Sequence, residues 1–126
     1  MRKHNRVTKQ KMLISQELDK INSFFSAEDL YDKVKVKDKN IGIATVYRFL
    51  GDVKKRGELY TYVCNRRTVY SKGKKSHCHF KCEKTGKVIH FEVDNIDFLK
   101  NKIPGSIVSF QLEVRGVCDS CNKKDV

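Results

Sequence analysis

A six-residue run without one apolar side chain, Ser71-Lys72-Gly73-Lys74-Lys75-Ser76, limits the fold more than any other feature of this 126-residue chain. Such a run buries nothing and reads as a linker. It divides the chain into two segments, residues 1–73 and 77–126, with a hinge at about 72–76. Apolar residues are 39% of the whole and Trp is absent, so each segment has material for only a thin core. Segments of that size commonly need a metal or a partner subunit. The sequence predicts an α+β protein in two parts.

Charge separates the same two parts. Residues 1–75 carry 19 Lys/Arg against 8 Asp/Glu, a net +11, while residues 76–126 carry 8 against 7, a net +1. A basic half joined to a near-neutral one is the footprint of a polyanion-binding module, double-stranded DNA first among candidates. A lysine-rich but merely soluble surface is the plain alternative. No apolar run approaches the length of a membrane span, and no signal peptide is evident, so the expected location is the cytoplasm and no membrane partner is expected. Five cysteines in a reducing compartment suit metal ligation or thiol chemistry better than a disulfide framework.

Three helices are expected before the linker. The first spans Thr8 to about Ile21, capped by Thr8, with Met12, Leu13, Ile14, Leu18 and Ile21 as its apolar stripe. The second starts at the cap Ser26 with Glu28 and Asp29 in its first turn, and buries Leu30, Tyr31 and Val34. A lysine-rich link, 35–39, leads to the third, from about Gly42 to Lys55 and stopped by Gly57. Its Ile43, Val46, Tyr47, Leu50 and Val53 face inward, with Tyr47 at the border. Strands 58–64 and 68–71, joined by Asn65-Arg66-Arg67, then form a basic hairpin. Three helices and such a hairpin make a winged helix-turn-helix. On the outer side of the third helix, Ala44 and Thr45 suit a thymine methyl, and Arg48 suits a phosphate or guanine.

After the linker the pattern gives strands at 77–82 and 87–93 around a tight turn. A helix at about 95–102 and an alternating strand at 107–114 follow. Cys118-x-x-Cys121 closes on one metal through a tight turn, and Cys82 adds a third soft ligand. Plain buried thiols are the alternative. His77 and His79, two apart on a strand, share a face and can hold one ion, whereas Cys78 points the other way. Cys64 in the hairpin could reach a metal near the hinge, or be an ordinary half-buried cysteine; His90 reads as a surface histidine.

Taken together, several blocks resemble the ferric uptake regulator family. They are Arg6-x-Thr8-x-Gln10, Phe25-Ser26-Ala27-Glu28-Asp29-Leu30-Tyr31, Ala44-Thr45-Val46-Tyr47-Arg48-x-Leu50 and Gly57. His77-Cys78-His79-Phe80-Lys81-Cys82, Gly86-Lys87-Val88-Ile89-x-Phe91 and Leu112-x-x-x-Gly116-x-Cys118-x-x-Cys121 continue the series. The resemblance implies an N-terminal winged-helix DNA-binding domain and a small α/β dimerisation domain holding metal. On that likeness Thr45 and Tyr47 approach bases. Arg48 and Arg6 contact the backbone, with Arg66 and Arg67 on the wing. His77 and His79 belong to a sensing site near the hinge, and Cys78 and Asp97 fall where a neighbouring site often finds ligands.

Departures from the pattern matter as much. Thr85 stands where a fourth zinc-binding cysteine is usual, and Phe24 and Phe110 stand where histidines often do. On a straight strand Cys78 lies roughly 13 Å from Cys82, too far to share a zinc with it. Asp119, Glu83, His90 or water remain to complete that site.

The function expected is a metal-responsive repressor binding a palindromic A·T-rich operator as a homodimer. Its cofactors would be a structural zinc and a second regulatory divalent metal, zinc, iron or manganese. A peroxide- or thiol-sensing regulator on the same scaffold, or a DNA-binding protein with structural metal only, are the alternatives. No general base or nucleophile constellation accompanies the cysteines, so an enzyme is not expected.

Overall fold

The computed structural model describes the backbone of residues 2–122 and the side chains of residues 8–121. It contains two compact units, Met1–Lys74 and Lys75–Val126.

The first unit begins with α1, Arg2–Asp19. The helix therefore starts six residues before Thr8, which sits inside it and is not its cap. Ile14 and Leu18 are buried as their spacing requires, but Met12 is 57% exposed and leaves the stripe. The side chains of His4 and Arg6 lie outside the described residues. Helix α2, Ala27–Lys37, opens on a complete capping box: the Asp29 N–H donates to Ser26 Oγ at 3.1 Å and the Ser26 N–H to Asp29 Oδ2 at 3.0 Å. It absorbs Lys35 and Lys37, which the sequence had suggested as link. Helix α3, Ile43–Lys55, buries Val46, Leu50 and Val53. Past its cap Arg56 the chain turns away at Gly57, whose φ of +77° suits a residue without Cβ.

Strands β1, Tyr60–Cys64, and β2, Arg67–Ser71, pair antiparallel with Cys64 opposite Arg67. Arg67 thus belongs to the strand, and the turn shrinks to Asn65 and Arg66, both at positive φ, 53° and 66°. That is the backbone a two-residue hairpin needs to follow strand twist. Phe25 bridges Tyr70 by two backbone hydrogen bonds, tying the hairpin to the start of α2. Ile14, Leu18, Phe25, Leu30, Val34, Val46, Leu50 and Tyr70 belong to one core. Three helices and a wing around one core are a winged helix-turn-helix.

The second unit is a three-stranded sheet in the order β4-β3-β5. β3, Ser76–Cys82, runs antiparallel to β4, Val88–Phe91, and parallel to β5, Phe110–Gly116. The last strand begins three residues later than its alternation suggests. Its register is set by Ser76 pairing with Phe110, leaving residues 107–109 without a strand partner. The expected eight-residue helix contracts to one turn, α4, Asp97–Lys100, which buries no side chain and so gains nothing from lengthening. A final turn, α5, Asp119–Asn122, carries Cys121.

Pairing gives this sheet two unlike faces. One carries Cys78 and Phe80 with Ile89, Phe91, Leu112 and Val114; the other carries His77, His79 and Lys81 with His90, Glu113 and Arg115. Among the described residues, the buried side chains of this unit are His77, Cys78, His79 and Cys82. Ile89, Phe91, Leu112 and Val114 remain 37–45% exposed. Among the described residues the unit has almost no aliphatic core of its own.

Candidate DNA-binding face and metal centre

With Val46, Leu50 and Val53 turned inward, α3 presents Ala44, Tyr47 and Arg48 outward, with Thr45 half-buried. Tyr47, at the border of the two faces by periodicity, is 46% exposed and stands on the outer one. The reason is a partner the helix pattern cannot show: its hydroxyl donates to Glu28 Oε1 of α2 at 2.7 Å. That bond holds the Glu28 carboxyl below the usual carboxylate range and pushes the phenol up. Arg48 donates to Thr45 Oγ1 at 3.1 Å. On the wing, Arg66 is exposed, and Arg67 reaches Ser26 Oγ at 3.3 Å and the Glu28 carboxylate at 3.8 Å. The described candidate DNA-contacting side chains thus gather on α3 and the wing of one unit.

The polar face of the second unit holds three imidazoles. The rings of His77 and His79 lie 5.2 Å apart, those of His77 and His90 5.1 Å, and those of His79 and His90 6.1 Å. His90, expected as a plain surface histidine, is brought beside the pair because it stands opposite His79 in the β3–β4 register. Counting outward from the tight turn would have found it. Glu113, by contrast, arrives through the parallel pairing with β5, which no local signal announces. Its carboxylate meets His79 Nε2 at 2.9 Å and is held in turn by Arg115 at 3.1 Å. His79 Nδ1 is left buried with no hydrogen-bond partner among the described residues. A ring fixed through one nitrogen with the other unsatisfied is how a carboxylate presents a metal-ligating histidine. Burial, then the nearby His90 and His79, lowers the His77 pKa and favours the neutral imidazole that a metal requires.

Cys78 lies on the opposite face of the sheet, buried, and burial raises its thiol pKa. Asp97, at the start of α4, is exposed and pairs with Lys100 at 2.8 Å. Neither joins a grouping of three ligands among the described residues. Cys64, half-buried at the end of β1, belongs to the first unit and the histidines to the second.

The thiols converge as the sequence suggested. Cys82, Cys118 and Cys121 form a grouping whose sulfurs lie within 4.8 Å of one another. Cys82 and Cys121 are 3.9 Å apart and Cys118 and Cys121 3.2 Å. Thiolates around a tetrahedral zinc with bonds near 2.3 Å stand about 3.8 Å apart, so the set fits that ion. The Cys118 N–H points at Cys82 Sγ at 3.5 Å, and with the Thr85 hydroxyl it pulls the Cys82 thiol down to about 6. Hydrogen bonds from Ser120 and Cys121 lower the Cys118 thiol, and the Cys118 contact pushes Cys121 up to about 11. Thr85, standing in the expected fourth position, contributes its hydroxyl to Cys82 in place of a thiolate.

A winged helix joined to a sheet with converging thiols and imidazoles defines a DNA-binding regulator with metal-holding groups in its second half. The comparisons agree. The sequence profile of the ferric uptake regulator family matches residues 2–115. The peroxide operon regulator of Bacillus subtilis is 31% identical over 95% of this chain and 86% of its own length. The zinc uptake regulation protein of Mycobacterium tuberculosis is 30% identical over 92% and 94%. The solved ferric uptake regulator of Pseudomonas aeruginosa with manganese superposes with a TM-score of 0.63 at 26% identity, covering 87% of each chain. The chain belongs to the ferric uptake regulator family. It is a metal-responsive transcription regulator that works as a homodimer on double-stranded DNA.

Proposed function

We propose that this protein is a repressor whose operator affinity is set by a divalent metal on the imidazole face of its second unit. His77, His79 and His90 are the proposed ligands there, and Cys82, Cys118 and Cys121 hold a structural zinc. Cys64, Cys78 and Asp97 remain sequence-based candidates for further ligands. The observation that carries the reading is His79, with Nε2 on Glu113 and a buried Nδ1 that has no partner among the described residues. A bound cation supplies a fixed cross-link among imidazoles. The residues do the rest: Glu113 and Arg115 orient His79, and burial favours the neutral form of His77. A nitrogen-rich set favours zinc over manganese, whose preference is for oxygen. Thr45 and Tyr47 are proposed to meet bases, with Arg6, Arg48, Arg66 and Arg67 on phosphates, at a palindromic A·T-rich operator matched to the two-fold dimer. The place of action is the cytoplasm, and the protein is not an enzyme.

The test is anisotropy of a labelled A·T-rich palindromic duplex with chelator-stripped protein, then with zinc, iron(II) or manganese restored at fixed salt. Reversible tightening by about tenfold or more, roughly 1.4 kcal/mol of coupling, identifies the signal. Unchanged affinity in folded protein leaves the structural metal alone. A second reading, thiol or peroxide sensing, is favoured by the low Cys82 pKa, which leaves a thiolate wherever zinc is absent. Peroxide would then release DNA and leave a mass shift on a cysteine or histidine.

A further inference from the structure

The first unit places one carboxylate among the groups proposed to read DNA. Glu28 lies in the first turn of α2, Tyr47 on α3 and Arg67 on β2, so three elements meet at this acid. The reciprocal capping box is made by Ser26 and Asp29, although the Glu28 backbone N–H and the Ser26 hydroxyl also favour the Glu28 carboxylate. Glu28 accepts the Tyr47 hydroxyl at 2.7 Å and stands 3.8 Å from the Arg67 guanidinium. A negative charge here opposes the attraction that the surrounding excess of Lys and Arg exerts on phosphate.

We infer that Glu28 is the positioning residue for sequence selectivity: it fixes Tyr47 so that the ring, not the hydroxyl proton, is offered to bases, and it restrains Arg67 from indiscriminate phosphate contact. The inference rests on the DNA-binding reading above. A phenol has one proton to donate. With that proton directed at the Glu28 carboxylate, Tyr47 meets a base through its ring, which suits the thymine methyl and discriminates by shape. The Arg67 pair is different in kind. It is long and both side chains are more than half exposed, so a DNA phosphate competes for the guanidinium readily. Once Arg67 leaves, the carboxylate faces the backbone and penalises any complex in which base contacts do not compensate. Loose binding is weakened more than matched binding.

Two variants separate the roles. Glu28→Gln removes the charge but keeps a carbonyl oxygen for the phenol; Glu28→Ala removes both. The capping box survives in each, and thermal melting checks the fold. Each protein, with metal restored, is used to select from a random-sequence duplex library and is titrated on one mixed-sequence duplex across a salt series. Both variants should bind the mixed duplex about three- to tenfold more tightly at low salt, the gain shrinking as salt rises, because no carboxylate then repels the DNA backbone beside Arg67. Discrimination between selected and unselected bases should fall by about fivefold or more in Glu28→Ala while Glu28→Gln keeps most of it. Selection by Glu28→Ala as sharp as that of the unsubstituted protein overturns the proposal, as does unchanged affinity for the mixed duplex in both variants. If the unsubstituted protein binds no duplex at all, the DNA-binding reading itself fails and takes this one with it.

Discussion

Thr85 is the residue at which the thiol site of this chain parts from the usual four-cysteine arrangement, and its hydroxyl on Cys82 is a weaker partner for zinc than a thiolate. Thr85→Cys should therefore lengthen zinc retention against a chelator by about tenfold or more, followed by metal-indicator absorbance. An unchanged release rate would mean that position 85 does not face the ion. Glu17 illustrates a different residue-scale effect. Nearly buried, its Oε2 accepts from Lys20 Nζ at 2.8 Å and from Lys37 Nζ at 2.9 Å, linking α1 to α2. These hydrogen bonds, Lys20 first, hold its carboxyl below the ordinary value of 4.5. A depressed folded pKa stabilises above the unfolded value and stops doing so as pH falls through the folded one. Glu17→Gln should thus melt about 2–4 °C lower at neutral pH, with the gap closing as pH falls below the ordinary carboxylate value and through the lowered folded one, as circular dichroism would record.

At the scale of elements, the wing turn carries a conflict between local conformation and use. Asn65 tolerates the left-handed region, but Arg66 at φ 66° does so at a cost that glycine avoids. Arg66→Gly should raise stability by about 0.5–1 kcal/mol while its DNA affinity loses about one unit of salt slope. Chemical denaturation and a salt titration measure the two halves independently, and a variant less stable than the parent refutes the first. The helices show why elements were legible to different degrees. Ser26 and Asp29 declare the start of α2 because capping is local chemistry, and Gly57 declares the end of α3. The start of α1 was misplaced because Thr8 has a cap's side chain but lies within a backbone already helical from Arg2. The strand 107–114 was misplaced because alternation fixes which residues share a face, whereas the β3 partner fixes where pairing begins.

For the whole molecule, the second unit's shortage of aliphatic burial is the fact that demands a partner. Its sheet keeps Ile89, Phe91, Leu112 and Val114 partly exposed on one face, which a second copy can cover. Leu112→Asp should shift the protein from dimer to monomer in light scattering and weaken duplex binding at least about tenfold. Gln111→Asp, one residue away on the imidazole face, should leave assembly intact. A dimeric Leu112→Asp protein would place the interface elsewhere. The charge division, the linker, the winged-helix pattern and the Cys118-x-x-Cys121 pair could all be read from the sequence. Each rests on composition, on periodicity or on spacing within a short stretch, and such signals survive without a fold. What only the tertiary structure decided were the meetings between distant stretches: Tyr47 with Glu28, His79 with Glu113, and the thiols of two chain segments within zinc-binding reach. Those depend on strand register and on helix packing. Both come from the sum of many weak contacts across the chain, which no single stretch of sequence contains.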